Sequence, residues 1–194
     1  VEPDSRMTTQ MPVKLEAVLA RLCRRIPHAL NTTQAVKLPY LVDVLANHVL
    51  GHPITGGHHQ AWKHGVVTEE AWQHLAHGPS AVFRVTPVRF SEETRVEVLD
   101  DSSAEALSED ERRIVDFVAE EYAYVSATEL GLLTKRMNPA ISSWGGNRAA
   151  DLGEDAYERM SPVYLEMAES VAEISLDRLR RESRPISSPE DVVA

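Results

Sequence analysis

Six of the eight histidines in this 194-residue chain fall between His52 and His77, the densest group of chemistry-bearing side chains it has. Imidazoles bind zinc and shuttle protons, so a metal or acid–base site is the first chemistry to weigh there. His58 and His59 are adjacent, which makes it hard for them to share one ion as helical neighbours could, and no His-Glu-x-x-His run occurs. His74 and His77 stand three apart on an expected helix, a workable spacing. A catalytic zinc site also needs a third ligand and an open position, and no residue is marked out for that role. The expected reading is solvated loop and helix-end histidines, with no metal and no cofactor.

Nucleophilic and phosphate chemistry has less to stand on. The chain has no Gly-x-Ser-x-Gly, and neither Gly56-Gly57 nor Gly145-Gly146 is followed by the Lys-Ser/Thr of a phosphate cradle. The paired carboxylates Asp100-Asp101 and Glu120-Glu121 are sequence neighbours whose side chains point apart. Cys23 is the single cysteine, which excludes disulfides and thiolate clusters and leaves it to act as a small buried apolar group. No feature specifies catalysis, so a non-enzyme is expected.

Composition narrows the class of partner. The formal charge is -10, and residues 101–194 carry 20 Asp/Glu against 10 Lys/Arg while residues 1–100 carry 10 of each. An acidic surface repels phosphate backbones and steers a basic protein toward it. Arg21, Arg24 and Arg25 are not followed by a second helix at helix-turn-helix spacing, so direct nucleic-acid binding is not expected. With no long uncharged apolar stretch and no basic-then-apolar leader, the expectation is a soluble cytoplasmic protein without membrane contact.

The elements that would position a site follow from periodicity and capping. Residues 1–10 read as a disordered lead, 11–182 as one domain, and 183–194, with Pro185 and Pro189, as a disordered tail. Leu15, Val18, Leu19, Leu22 and Ile26 recur at helical spacing. Asn31, Thr32 and Thr33 are capping types ahead of an apolar segment from Leu38 to Leu50, the expected central core helix, which Gly51 closes. Pro39 implies either a short turn before that helix or one kinked helix from Thr33. His52 to His59 reads as a loop, and Thr68 with Glu69 and Glu70 opens a helix to about His77. Residues 82–90 and 94–99 read as a β-hairpin with Pro87 at an edge or bulge. Ser108 with Glu111, and Ser126 with Glu129, have capping-box spacing and define an expected antiparallel helix pair. A loop with Gly145 and Gly146 and a last helix from Ser161-Pro162 complete the reading. The fold class expected is α+β, predominantly α-helical, with a small antiparallel hairpin or sheet.

The pieces Lys37-Leu38-Pro39-Tyr40-Leu41-Val42-Asp43, Ala61-Trp62-Lys63-His64-Gly65-Val66-Val67 and Ser126-Ala127-Thr128-Glu129-Leu130-Gly131-Leu132-Leu133-Thr134, in that order, resemble the Panacea domain. That domain is known from SocA-like antitoxins of bacterial toxin–antitoxin pairs and from phage-associated proteins. The resemblance is strongest over residues 33–145, with the Trp62 box expected to open a helix. It implies an antitoxin that binds a cognate protein toxin, encoded beside it, and blocks it by contact. Tyr40, Asp43, Trp62, His64, Gly65 and Thr134 are then the partner-binding candidates, at or under the neutralising surface. Trp62 offers an aromatic anchor, and Gly65 permits another backbone to come close. The acidic second half suits a basic toxin. Three alternatives remain: an adaptor that hands the toxin to protease machinery through the 183–194 tail, a metal-dependent enzyme using the histidine-rich loop, and a phage regulator of some other host protein.

Overall fold

A computed structural model describes residues 10–77, 82–88, 94–100, 102–138 and 148–160. The proposed lead (residues 1–9 of it), the tail, the helix from Ser161, Trp144 and the Gly145-Gly146 loop lie outside the described residues. The rest is α+β and predominantly helical.

Helix α1 (Val13–Arg25) has the expected amphipathic period, with Leu15, Leu19 and Leu22 fully buried. Helix α2 (Thr32–Leu50) is the centre of the core. Asn31 and Gln34 form its capping box, and Gly51 ends it in the left-handed conformation at φ 78°. Of the two options for Pro39, the structure has one helix running through it. The proline removes one intrahelical hydrogen bond, but every residue from Gln34 to Ala46 is buried, and that packing keeps the helix whole.

The segment after α2 departs from expectation. The Trp62 box does not open a helix: β1 (His59–Trp62) and β2 (Gly65–Thr68) form an antiparallel hairpin, paired from His59 with Thr68 to Trp62 with Gly65. Lys63 and His64 are its two turn residues. Val66, Val67 and Thr68 are β-branched and suit a strand, but four residues per strand are too few for an alternating pattern to stand out. A third strand, β5 (Arg148–Ala149), joins the other edge of β1. Helix α3 (Glu69–His77) follows directly, starting after Thr68 as expected.

The second hairpin, β3 (Phe83–Pro87) with β4 (Thr94–Val98), matches the sequence reading. It is tied to the α1–α2 connection by the Val96 N–H, which donates to the Leu30 carbonyl at 2.7 Å. A 3-10 turn (Ser102–Ala106) leads to α4 (Glu109–Tyr122) and α5 (Ala127–Met137), both opened by the two expected capping boxes. These helices pack mainly on other elements and not, as anticipated, on each other. Helix α4 packs on α1 and α2, while α5 packs on α2, β2 and the short α6 (Glu154–Met160). Each needs an apolar surface for its own stripe, and α2 offers one on more than one side.

Candidate functional site

Lys37, Tyr40 and Asp43 recur every three residues along α2, and all three are buried. Polar groups placed so deep need partners, and here the partners come from the β1–β2 hairpin, the loop before it and α5.

Lys37 donates to the His64 carbonyl at 3.0 Å and to the Val66 carbonyl at 2.9 Å, gripping the hairpin on both sides of Gly65. Its partners are carbonyl oxygens, and burial lowers the ammonium pKa to about 8. From α5, the Thr134 hydroxyl accepts the Val66 N–H at 3.1 Å and donates to the Leu130 carbonyl at 2.9 Å. Gly65 sits between these groups at φ 98°, where an L side chain is strained. A Cβ there would also meet Thr134 Oγ1 and stand 2.7 Å from the Gly131 carbonyl oxygen. Gly131 meets the turn in return, since a Cβ on it would come within 3.1 Å of the His64 carbonyl. Within the described chain, the backbone that comes close to Gly65 is that of α5.

Asp43 caps the loop from below. Its carboxylate accepts from the Ile54 N–H at 2.7 Å, the Thr55 N–H at 2.9 Å, the Thr55 hydroxyl and His59 Nε2 at 2.7 Å. A carboxylate accepts only, so Nε2 carries the proton, while Nδ1 lies 3.0 Å from the Thr68 hydroxyl. Asp, His and Thr in a row are the makings of a proton relay. Thr68, however, has no exposed surface, so no substrate reaches its hydroxyl in this conformation, and the line-up serves as a tie between α2 and both strands. Tyr40 packs edge-on to His59 at 5.5 Å. Its hydroxyl donates to the Asp151 carbonyl at 2.7 Å and accepts from Asn138 at 2.8 Å; burial raises its pKa, and the Asn138 bond offsets only part of that.

On the outer side the hairpin is open. Lys63 and His64 are exposed, and Trp62 is half-buried, edge-on to Trp72 with ring centroids 5.2 Å apart and its indole N–H on Gln60 at 3.1 Å. Of the six candidates, then, Gly65, Thr134 and the His64 carbonyl form one cluster, and Tyr40 and Asp43 form a second beneath the strands. The Trp62 ring belongs with α3.

His58 is exposed and bonds the buried Glu70, both through its ring and through its N–H to Glu70 Oε2 at 2.9 Å. That bond and the charge of Glu70 raise the His58 pKa. Burial works to raise the Glu70 pKa, but the His58 bonds outweigh it and leave the carboxyl below its usual range. Among the described residues no group of three or more His, Cys, Asp or Glu is placed to hold a metal ion. The Cys23 thiol is pushed up to about 12 by burial, which makes it a poor nucleophile.

Sequence reasoning missed Lys37, His59, Thr68, Gly131 and Asn138. The one available signal was Lys37 itself, a charge inside an otherwise apolar helix. The partners of the others are mostly backbone atoms or residues far away in the chain.

The family described as antitoxin SocA-like, Panacea domain, matches residues 36–139, more than half of the chain, and the chain belongs to that family. The match begins at the Lys37 turn of α2 and ends just after Asn138, so it contains both polar clusters apart from Asp151. No curated protein and no solved structure matches the chain.

Proposed function

We propose that this member of the SocA-like Panacea family is an antitoxin that binds a cognate protein toxin through the outer side of the β1–β2 hairpin and the adjoining part of α5. Neutralisation is by occupancy, without cofactor or chemical step. The observation that carries the reading is the unequal treatment of the hairpin's two sides. Lys37, Gly65, Gly131 and Thr134 hold its inner side at close contact, while Trp62, Lys63 and His64 on the turn stay wholly or partly accessible. A turn fixed this firmly presents its outer groups at little entropic cost on binding. Tyr40 and Asp43 act from beneath, by setting the position of the strands.

The protein works in the cytoplasm, and its toxin is basic and encoded beside it. The acidic second half of the chain contributes to long-range attraction, whereas the contact itself is made at the hairpin. No described helix is long and apolar enough to cross a membrane.

The test is co-expression with the neighbouring reading frame. Arrested growth with that frame alone, rescue by this chain, and a co-purifying complex are expected. A neighbour that is harmless alone, or rescue without a complex, would overturn the reading.

A further inference from the structure

Gln60 and Trp62 stand two apart on β1, so their side chains share one face of the hairpin, the one that meets α3. A run of polar contacts joins them there to the first turn of α3. The Trp62 indole N–H donates to the Gln60 side-chain oxygen at 3.1 Å, and the Gln60 amide donates to Glu69 Oε2 at 2.6 Å. Gln73, one turn further along α3, donates to the other Glu69 oxygen at 3.3 Å. All four residues keep part of their surface open to solvent.

The fold leaves two properties of this patch unused. The Glu69 side chain accepts only from neutral amides, which fix the direction of its carboxylate without balancing its charge. Of the roughly four lone-pair positions on a carboxylate, those two bonds leave the others free. His58, whose pKa is raised most by its bond to Glu70 and least by Glu69, is committed to Glu70, and Lys63 on the turn has a contact of its own. Trp62 meets Trp72 edge-on, with 71° between the ring planes, a contact that covers at most one face of either indole. An aromatic face beside a carboxylate of fixed direction suits a flat cation, which stacks on the ring and turns two parallel N–H groups to the oxygens. A guanidinium has that form, and a lysine ammonium does not.

We infer that the partner protein anchors on this patch through an arginine, its guanidinium stacked on Trp62 and paired with Glu69. The inference rests on the proposed antitoxin function and names the side chain by which a basic toxin grips the hairpin. A formal charge of -10 on this chain favours a partner of opposite sign, and the patch gives that attraction a fixed point of contact. Gln60 and Gln73 are positioning residues, which hold the carboxylate toward the indole.

The experiment is calorimetric titration of the full chain with the purified toxin from the neighbouring reading frame, repeated with each toxin arginine in turn replaced by lysine. Saturable binding by the native pair is expected. Glu69→Gln and Trp62→Leu, both at part-exposed positions, should retain the melting temperature and each lose about tenfold or more in affinity. One arginine-to-lysine toxin should show a similar loss against the native chain and little further loss against Glu69→Gln, the mark of two groups that act as a pair. If Glu69→Gln lowers the melting temperature, the same cycle run on Trp62→Leu decides. Undiminished binding by the folded variant, or no toxin arginine coupled to it, would overturn the anchor and leave the antitoxin reading standing. Failure of the native toxin to bind would overturn that reading and the anchor with it.

Discussion

The seam between α1 and α4 and the seam between α2, the β1–β2 hairpin and α5 are built from opposite chemistry. In the first, apolar residues such as Leu15, Leu19, Leu22, Ile114 and Val118 fill the interior, and the charges, apart from the buried Glu111, sit toward the rim. Arg21 bonds both Asp116 oxygens at 2.6 and 2.7 Å, Arg25 bonds Asp116 from a more exposed position, and Lys14 reaches Glu111. Burial pushes the Asp116 carboxyl up, but the Arg25 and Arg21 bonds outweigh it and hold it below the usual range. In the second seam the polar groups are inside. Lys37, Asp43, His59, Thr68 and Thr134 are all buried, and most of their partners are backbone atoms. Rim charges lose little when cut, because water replaces them. Interior groups lose much, because nothing does. The first seam tolerates exchange, while the second fixes one hairpin position.

The sharpest break of that contrast is Asp43→Ala, which leaves two N–H groups, a hydroxyl and an imidazole without their buried acceptor. Urea melts should show a loss of about 3–5 kcal/mol. Gly65→Ala comes next, combining backbone strain with collision against Thr134 and the Gly131 carbonyl, for about 2–4 kcal/mol in the same assay. A loss below about 1 kcal/mol at either position would place the hairpin outside the cooperative core.

Lys37 refines the comparison through pH. Its folded pKa, about 8, lies below the ordinary 10.5, so between those values the folded state binds fewer protons than the unfolded one. Stability therefore rises with pH across that window, because the cost of the buried charge is relieved and a neutral amine still offers two N–H bonds to its two carbonyls. Relative to Lys37→Met, the native chain should gain up to about 3 kcal/mol between pH 8 and 10.5. Parallel curves for the two proteins would show that the ammonium is not desolvated.

The smallest effects belong to the first seam and its cap. Ser108→Ala should cost about 1 kcal/mol through loss of the α4 capping box. Asp116→Asn should cost no more than about 1 kcal/mol, and less in high salt. A loss at Asp116 equal to that at Asp43 would erase the distinction between the two seams.

The same contrast explains what could be read in the sequence. Ser108 with Glu111 and Ser126 with Glu129 were legible because a capping box is closed within four residues. The core role of α2 was legible from its run of apolar residues, and Gly51 from its place at the end of that run. The β1–β2 hairpin was not, because its strands are short and its turn is Lys63-His64, without the Asn-Gly type of signal. Nor were the partners of Lys37 and Asp43, since the carbonyls of His64 and Val66 and the amides of Ile54 and Thr55 carry no mark of residue type. The packing of α4 and α5 followed from the shape of α2, which their own sequences do not encode.

The most direct test of the hairpin as the binding face is amide hydrogen exchange of the chain with and without its purified toxin. Added protection is expected over residues 60–66 and 127–135, with α1 and α4 little changed. Protection confined to α1 and α4, with the hairpin exchanging as in the free protein, would contradict the account and move the docking surface to the α1–α4 seam.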